Sequence, residues 1–197
     1  MYKNLMSSEN KVISLTKIGE MNTEVLSYLR KELMKYFKAF KFLVSVNPKT
    51  LKIKASEFNP RRNQYDGSQI LNRIKKASSQ ADFFRILGII DEDIFVTGLN
   101  FIFGLAMKPQ KTLLKFPAVA LISIARLREF NVDLSNDEIL LQRTLKEVLH
   151  ELGHTFGLNH CQNYCVMRFS NSLRETDNKP PKYCTSCSKQ LSKVFLS

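Results

Sequence analysis

Apolar and polar positions change their spacing several times along this chain, and each change predicts an element. Asn10 to Leu15 alternates and reads as a short strand. Val25, Leu26, Leu29, Leu33, Tyr36, Phe37 and Phe40 then recur at helical spacing, which predicts a helix from an Asn22 or Thr23 cap to about Ala39. Phe40, Phe42, Val44 and Val46 alternate as a second strand, stopped by Asn47-Pro48. Residues 49–66 are polar and mixed, and no element is predicted there. Ile70, Leu71 and Ile74 support a helix over Ser68 to Ser78. Phe83 to Ile90 is almost continuously apolar, as a central strand buried on both faces would be. Gly98 to Met107 and Phe116 to Ala125 are further strands, joined by a basic loop around Pro109. This alternation of strand and helix predicts an α/β fold with a mostly parallel sheet and crossover helices.

The longest helical stripe comes late. Ile139, Leu141, Leu145, Val148, Leu149, Leu152 and Phe156 share a face, Ser135 and Glu138 have capping-box spacing, and Gly157 supplies a left-handed stop. The predicted helix therefore runs from about Ser135 to Phe156.

With 197 residues the chain fits one domain, or one domain with a small appendage. Its 30 Lys and Arg against 18 Asp and Glu give a formal charge of +12. In the densest stretch, Arg30 to Arg62, aromatics do not interleave with the charges in a recognisable pattern, so a nucleic-acid partner is not expected. The longest mostly apolar run, Phe116 to Ala125, is far short of the ~20 residues a bilayer needs. The first residues lack an apolar export core, so a cytoplasmic monomer without membrane contact is expected.

All three histidines, His150, His154 and His160, fall within eleven residues. His150 and His154 are four apart on the helix and project from one face, where both can reach a single Zn²⁺. His160 can join them only if the helix breaks, and Gly157 stands at the point where it must. Three imidazoles leave the fourth position of a tetrahedral zinc open to water, the mark of a catalytic site. Glu151 follows the first ligand and is placed to act as general base on that water, then as proton donor to the departing amine. Cys161-x3-Cys165 and Cys184-x2-Cys187 form a two-plus-two set suited to a closed structural Zn²⁺. Disulfides, or reduced buried thiols, are the rival readings of those four residues.

His150 to His160, followed by Cys161, Cys165, Met167, Cys184 and Cys187, resembles the archaemetzincins, a branch of the metzincin zinc metallopeptidases. Arg85-Ile86-Leu87-Gly88, Gly98 to Gly104 and Ser123 to Leu127 are similar as well, so the likeness spans about residues 10–190. It implies a twisted five-stranded mixed sheet whose antiparallel edge strand, placed at Asn100 to Met107, lines the substrate cleft. It implies two zinc ions, with His150, His154 and His160 on the catalytic one, Cys161, Cys165, Cys184 and Cys187 on the structural one, Glu151 as base, and Met167 as the methionine beneath the catalytic site. Two cysteine-flanked loops, Cys161–Cys165 and Met167–Cys184, are each one residue shorter than the family pattern. The expected division is a catalytic subdomain over 1–157 and a zinc-pinned C-terminal subdomain over 158–197.

The expected function is hydrolysis of peptide or protein substrates by water attack. The alternative is a non-catalytic zinc-stabilised binding module, with nucleic acid as a candidate partner of its basic surface, for which Glu151 would have no use. Two lesser features complete the inventory. Asp91-Glu92-Asp93 follows the apolar strand and could hold a substrate amine or a cation, or be a solvated loop. Tyr183 could reach the cleft as an oxyanion donor, or pack near the cysteines.

Overall fold

The computed structural model describes residues 11–77, 83–108, 118–128 and 137–196. Its main sheet has five strands: β1 (Lys11–Ile18), β2 (Phe42–Val46), β5 (Arg85–Ile90), β7 (Gly104–Ala106) and β8 (Ala118–Ser123). Their order is β2-β1-β5-β8-β7, with β7 alone antiparallel. This is the expected mixed sheet. β5 lies at its centre and all six of its residues are buried, which is why that stretch is apolar without alternation. Leu87 and Ile89 face a core built with α1 (Glu24–Tyr36) and α3 (Asp137–Thr155), while Ile86 and Ile90 face the opposite core under α2 (Gly67–Ala77).

Helix boundaries follow local chemistry. α1 begins where Asn22 Oδ1 accepts from the Glu24 amide at 2.9 Å, and it ends three residues before Ala39 in a 3₁₀ turn over Lys38–Phe40. α3 is 19 residues long and nearly all of its second half is buried. Ser135, its expected cap, and Pro109 lie outside the described residues.

Two expectations are corrected. Residues 49–66, read as irregular, contain β3 (Phe58–Asn59) and β4 (Gln64–Asp66), which join β6 (Ile94–Phe95) in a small second sheet. The strand expected over Gly98–Met107 shrinks to Gly104–Ala106, because side chains take the carbonyls a neighbouring strand would use. Arg62 Nη2 donates to Leu99 O and Asn100 O at 2.7 and 2.8 Å, and Gln64 Nε2 donates to Asn100 O at 2.9 Å.

The C-terminal part adds α4 (Leu173–Asn178) and α5 (Thr185–Leu196). Leu191 and Phe195 belong to the same core as α1 and α3, and Lys11 Nζ reaches Phe195 O at 2.8 Å. No helix among the described residues is long and apolar enough to cross a membrane.

Candidate active site

The site is built on the C-terminal half of α3, beneath the edge strand β7. His150 and His154 sit at adjacent turns with their rings edge-on, centroids 4.7 Å apart. α3 then ends: Gly157 takes φ +92, its amide bonds His154 O at 3.0 Å, and the Leu158 amide bonds Gly153 O at 2.9 Å. The reversed chain brings His160 to 4.9 Å from the His154 ring and 5.3 Å from the His150 ring. The three histidines predicted to share an ion are brought together, each offering one nitrogen, and those atoms lie within 4.8 Å of one another.

Hydrogen bonds fix which nitrogens face inward. His150 Nδ1 lies 2.9 Å from Val166 O, and His154 Nδ1 lies 2.8 Å from Leu158 O. A carbonyl can only accept, so each Nδ1 carries the proton and each Nε2 presents a lone pair. Those two Nε2 atoms are 3.1 Å apart with no proton available to share. Burial pushes His150 down to about 2, with Lys179 adding to the effect, and pushes His154 down to about 4. Both rings are neutral at physiological pH, and converging lone pairs of this kind fit a cation.

Glu151 lies on the neighbouring side of α3, against β7. A Cβ on Gly104 would come within 2.8 Å of Glu151 Cγ, so the strand can approach the helix only because residue 104 has no side chain. Burial, reinforced by Glu147 one turn away, raises Glu151 to about 8. Beside it runs a cleft of about 330 Å³, lined by Gly104, Leu105, Phe103, Phe169 and the three histidines among others. Phe103 O and the Met107 amide bond to β8, so Gly104 and Ala106 turn their backbone groups to the open edge of the sheet.

Met167 is buried directly under the histidines: a Cβ on Gly153 would meet its Sδ at 2.3 Å. The glycine between His150 and His154, which the spacing treated as an unspecified position, is required by that contact. Tyr183 does not reach the cleft. It is buried below α3, where its hydroxyl donates to Leu149 O at 2.6 Å. Asp91 and Asp93 are neither a cation site nor a solvated loop, since they form two-pronged ion pairs with Arg128 and Arg126. Glu147, buried on the cleft wall, and Lys179, paired behind it, were not singled out by sequence; for Glu147 the available signal was a charged residue one turn before His150 on the ligand-bearing helix.

The four cysteines also converge. All are free, their sulfurs lie within 4.8 Å of one another, and Cys161 Sγ is 3.8 Å from Cys184 Sγ, well beyond disulfide length. The one-residue-shorter loops have not separated them. The Cys184 amide donates to Cys165 Sγ at 3.2 Å. A backbone hydrogen bond from Cys187 leads the effects that hold Cys184 down at about 6, whereas burial pushes Cys187 up.

Neutral imidazoles around a gap, a carboxylate beside them and a strand edge able to pair with a peptide together define a class, the metallopeptidases. Known proteins supply the family. The sequence profile of peptidase family M54 matches residues 9–193, and the chain belongs to that family and is a zinc metallopeptidase. It is 36% identical over 181 residues to an archaemetzincin of Sulfolobus acidocaldarius, covering 91% of this chain and 95% of that one. It is similar in structure to the archaemetzincin of Methanopyrus kandleri, with a TM-score of 0.80, 29% identity, and coverage of 98% of this chain and 100% of the other. It is also similar to a zinc-dependent peptidase from Methanocorpusculum labreanum, with a TM-score of 0.75, 28% identity, and coverage of 91% and 99%.

Proposed function

We propose that His150, His154 and His160 hold the catalytic zinc, that Glu151 is the general base, and that Cys161, Cys165, Cys184 and Cys187 hold a second, structural zinc. The observation that carries this reading is the pair of Nε2 lone pairs 3.1 Å apart, held inward by the carbonyls of Val166 and Leu158. Zinc, when bound, supplies a Lewis acid for the scissile carbonyl and lowers the pKa of a coordinated water.

The chain's own residues do the rest. Gly104 and Ala106 offer backbone groups along which an extended peptide aligns. Glu151 takes the proton of the attacking water and returns it to the departing amine. Its raised pKa suits that exchange near neutral pH, where a carboxylate of ordinary pKa is a weak base. Met167 and Gly153 set the helix face under the ligands, and Val166 O and Leu158 O hold two of the rings in orientation. The four thiols fix Cys161, the neighbour of His160, and so the return of the third ligand. The division at Gly157 is then one of roles: 1–157 supplies sheet, cleft and base, and 158–197 supplies the third histidine and its support. Thiols that hold zinc suit a reducing compartment, which supports a cytoplasmic location.

The test is Glu151→Gln. Zinc content should stay at two per chain while peptide hydrolysis falls by about 10²–10⁴, the usual worth of a general base. Loss of one zinc would make Glu151 a ligand and contradict its role.

A further inference from the structure

The cleft contains polar groups that hydrolysis does not use. Glu147 lies on α3 just short of one turn before His150 and lines the cleft, although only 3% of it is exposed. Its Oε1 takes both contacts: the Thr176 hydroxyl donates at 3.0 Å, and Lys179 Nζ lies 2.9 Å away. Neither contact takes Oε2. Lys179 is 2% exposed, and its ammonium approaches Glu147 off the line a hydrogen bond needs, leaving it without a hydrogen-bonded acceptor. Ser170, on the same cleft, has a buried hydroxyl that is also unpartnered. Buried polar groups in folded proteins are nearly always satisfied. The unsatisfied Ser170 hydroxyl and the Glu147 carboxylate both line the cleft, and together they mark a place where a ligand completes the bonding.

Their position along the cleft can be read from β7. Gly104 sits over Glu151, and Lys108, further along the chain, reaches Asn159 beyond the end of α3 at 2.9 Å. The strand and α3 therefore run the same way, and Phe103 and Phe101 lie toward Glu147. A peptide pairing antiparallel with β7 runs from the Lys108 end toward Glu147. The residue after its scissile bond then enters a space with aromatic walls and a polar floor.

We propose that Glu147 and Ser170, with Lys179 paired behind the carboxylate, form the floor of a subsite that selects this substrate residue, and that it takes an uncharged side chain with a hydrogen-bonding tip, such as tyrosine or glutamine. The charges of Glu147 and Lys179 offset each other. A basic side chain gains the carboxylate but meets the ammonium, and an acidic one meets the reverse. An apolar side chain leaves the floor unsatisfied. A hydroxyl or carboxamide can donate to the Glu147 carboxylate and accept from the Ser170 hydroxyl, without burying a net charge.

The inference rests on the peptidase reading and is tested by binding, without turnover. Zinc-loaded Glu151→Gln protein is titrated calorimetrically with alanine-based peptides carrying Tyr, Phe, Gln, Leu, Lys or Glu at each position in turn. At one position Tyr should bind at least tenfold tighter than Phe, and Gln tighter than Leu, with Lys and Glu both weaker than Tyr. Ser170→Ala, which removes a hydroxyl without a partner, should reduce the Tyr-to-Phe ratio several-fold at unchanged Tm. Glu147→Leu alone would strand a buried ammonium, so it is combined with Lys179→Met and Ser170→Ala, and the ratio should fall to about one. A Tyr-to-Phe ratio within twofold at every position, or a ratio that survives the triple substitution, overturns the subsite while leaving the peptidase reading intact. Failure of every peptide to bind the zinc-loaded protein overturns both.

Discussion

The histidine and cysteine clusters solve the same geometric problem differently. Each gathers its ligand atoms within 4.8 Å, but the histidines do so within eleven residues by a helix break, whereas the cysteines join two pairs separated by 18 residues. The histidine site has three donors, borders a cleft of about 330 Å³, and leaves His160 exposed. The cysteine site has four donors, with Cys165 and Cys187 buried and backbone amides directed at the sulfurs. Donor count and access therefore separate the site that can admit a substrate from the one that can only hold the fold. Cys161 follows His160 directly, so on the proposed assignment the closed site would also steady the open one.

The largest effect should come from breaking the closed site. Cys165→Ala or Cys187→Ala should destabilise the protein by roughly 4 kcal/mol or more, since structural-zinc binding energy is folding energy. Thermal unfolding of zinc-loaded samples measures it. Residual packing of Leu191 and Phe195 should keep a folded core, so an unchanged Tm would show that the cysteines hold no metal.

A smaller effect is expected beneath the open site. Gly153→Ala places a methyl 2.3 Å from Met167 Sδ, and such overpacking costs about 1–3 kcal/mol. Chemical denaturation checks the cost, and zinc affinity of the histidine site should fall with it as His150 and His154 are displaced.

The smallest effect concerns pH. In metal-free protein the folded pKa of Glu151, about 8, lies above the ordinary 4.5. Between those values the folded state binds the extra proton, so this group's contribution is present at low pH and is lost as pH rises toward 8. Glu151→Gln removes the dependence. Relative to wild type, the metal-free variant should gain at least about 1 kcal/mol between pH 5 and pH 8, roughly 2–4 °C in Tm. An equal Tm difference at both pH values would show that Glu151 is not desolvated.

The same contrast between clusters and single residues explains what could be read from sequence. Ligand spacing is local: four residues on a helix, a glycine at the break and two short cysteine pairs are legible without a fold. β5 was legible because burial on both faces leaves an unbroken apolar run. β3, β4 and β6 were not, because strands of two or three residues lack periodicity and are held by partners such as Gln64, which reaches both Asp93 and Asn100. β7 was overextended for the converse reason, since Arg62, 37 residues from Leu99, removes its first carbonyls from pairing. Glu147 and Lys179 are 32 apart in sequence and become a pair only when α3 meets the segment after α4. Asp91 and Asp93 looked free for ligands because their arginines come from beyond β8.

The contrast between the two sites is tested most directly by graded chelation, with zinc release, peptide hydrolysis and near-UV circular dichroism followed in one sample. The first zinc released should carry all of the hydrolysis with it and leave the tertiary signal unchanged, and re-added zinc should restore activity. The second should leave only under stronger chelation, with loss of tertiary structure. A first release that leaves hydrolysis intact, or that collapses the fold, would contradict the assignment of an open catalytic site at the histidines and a closed structural one at the cysteines.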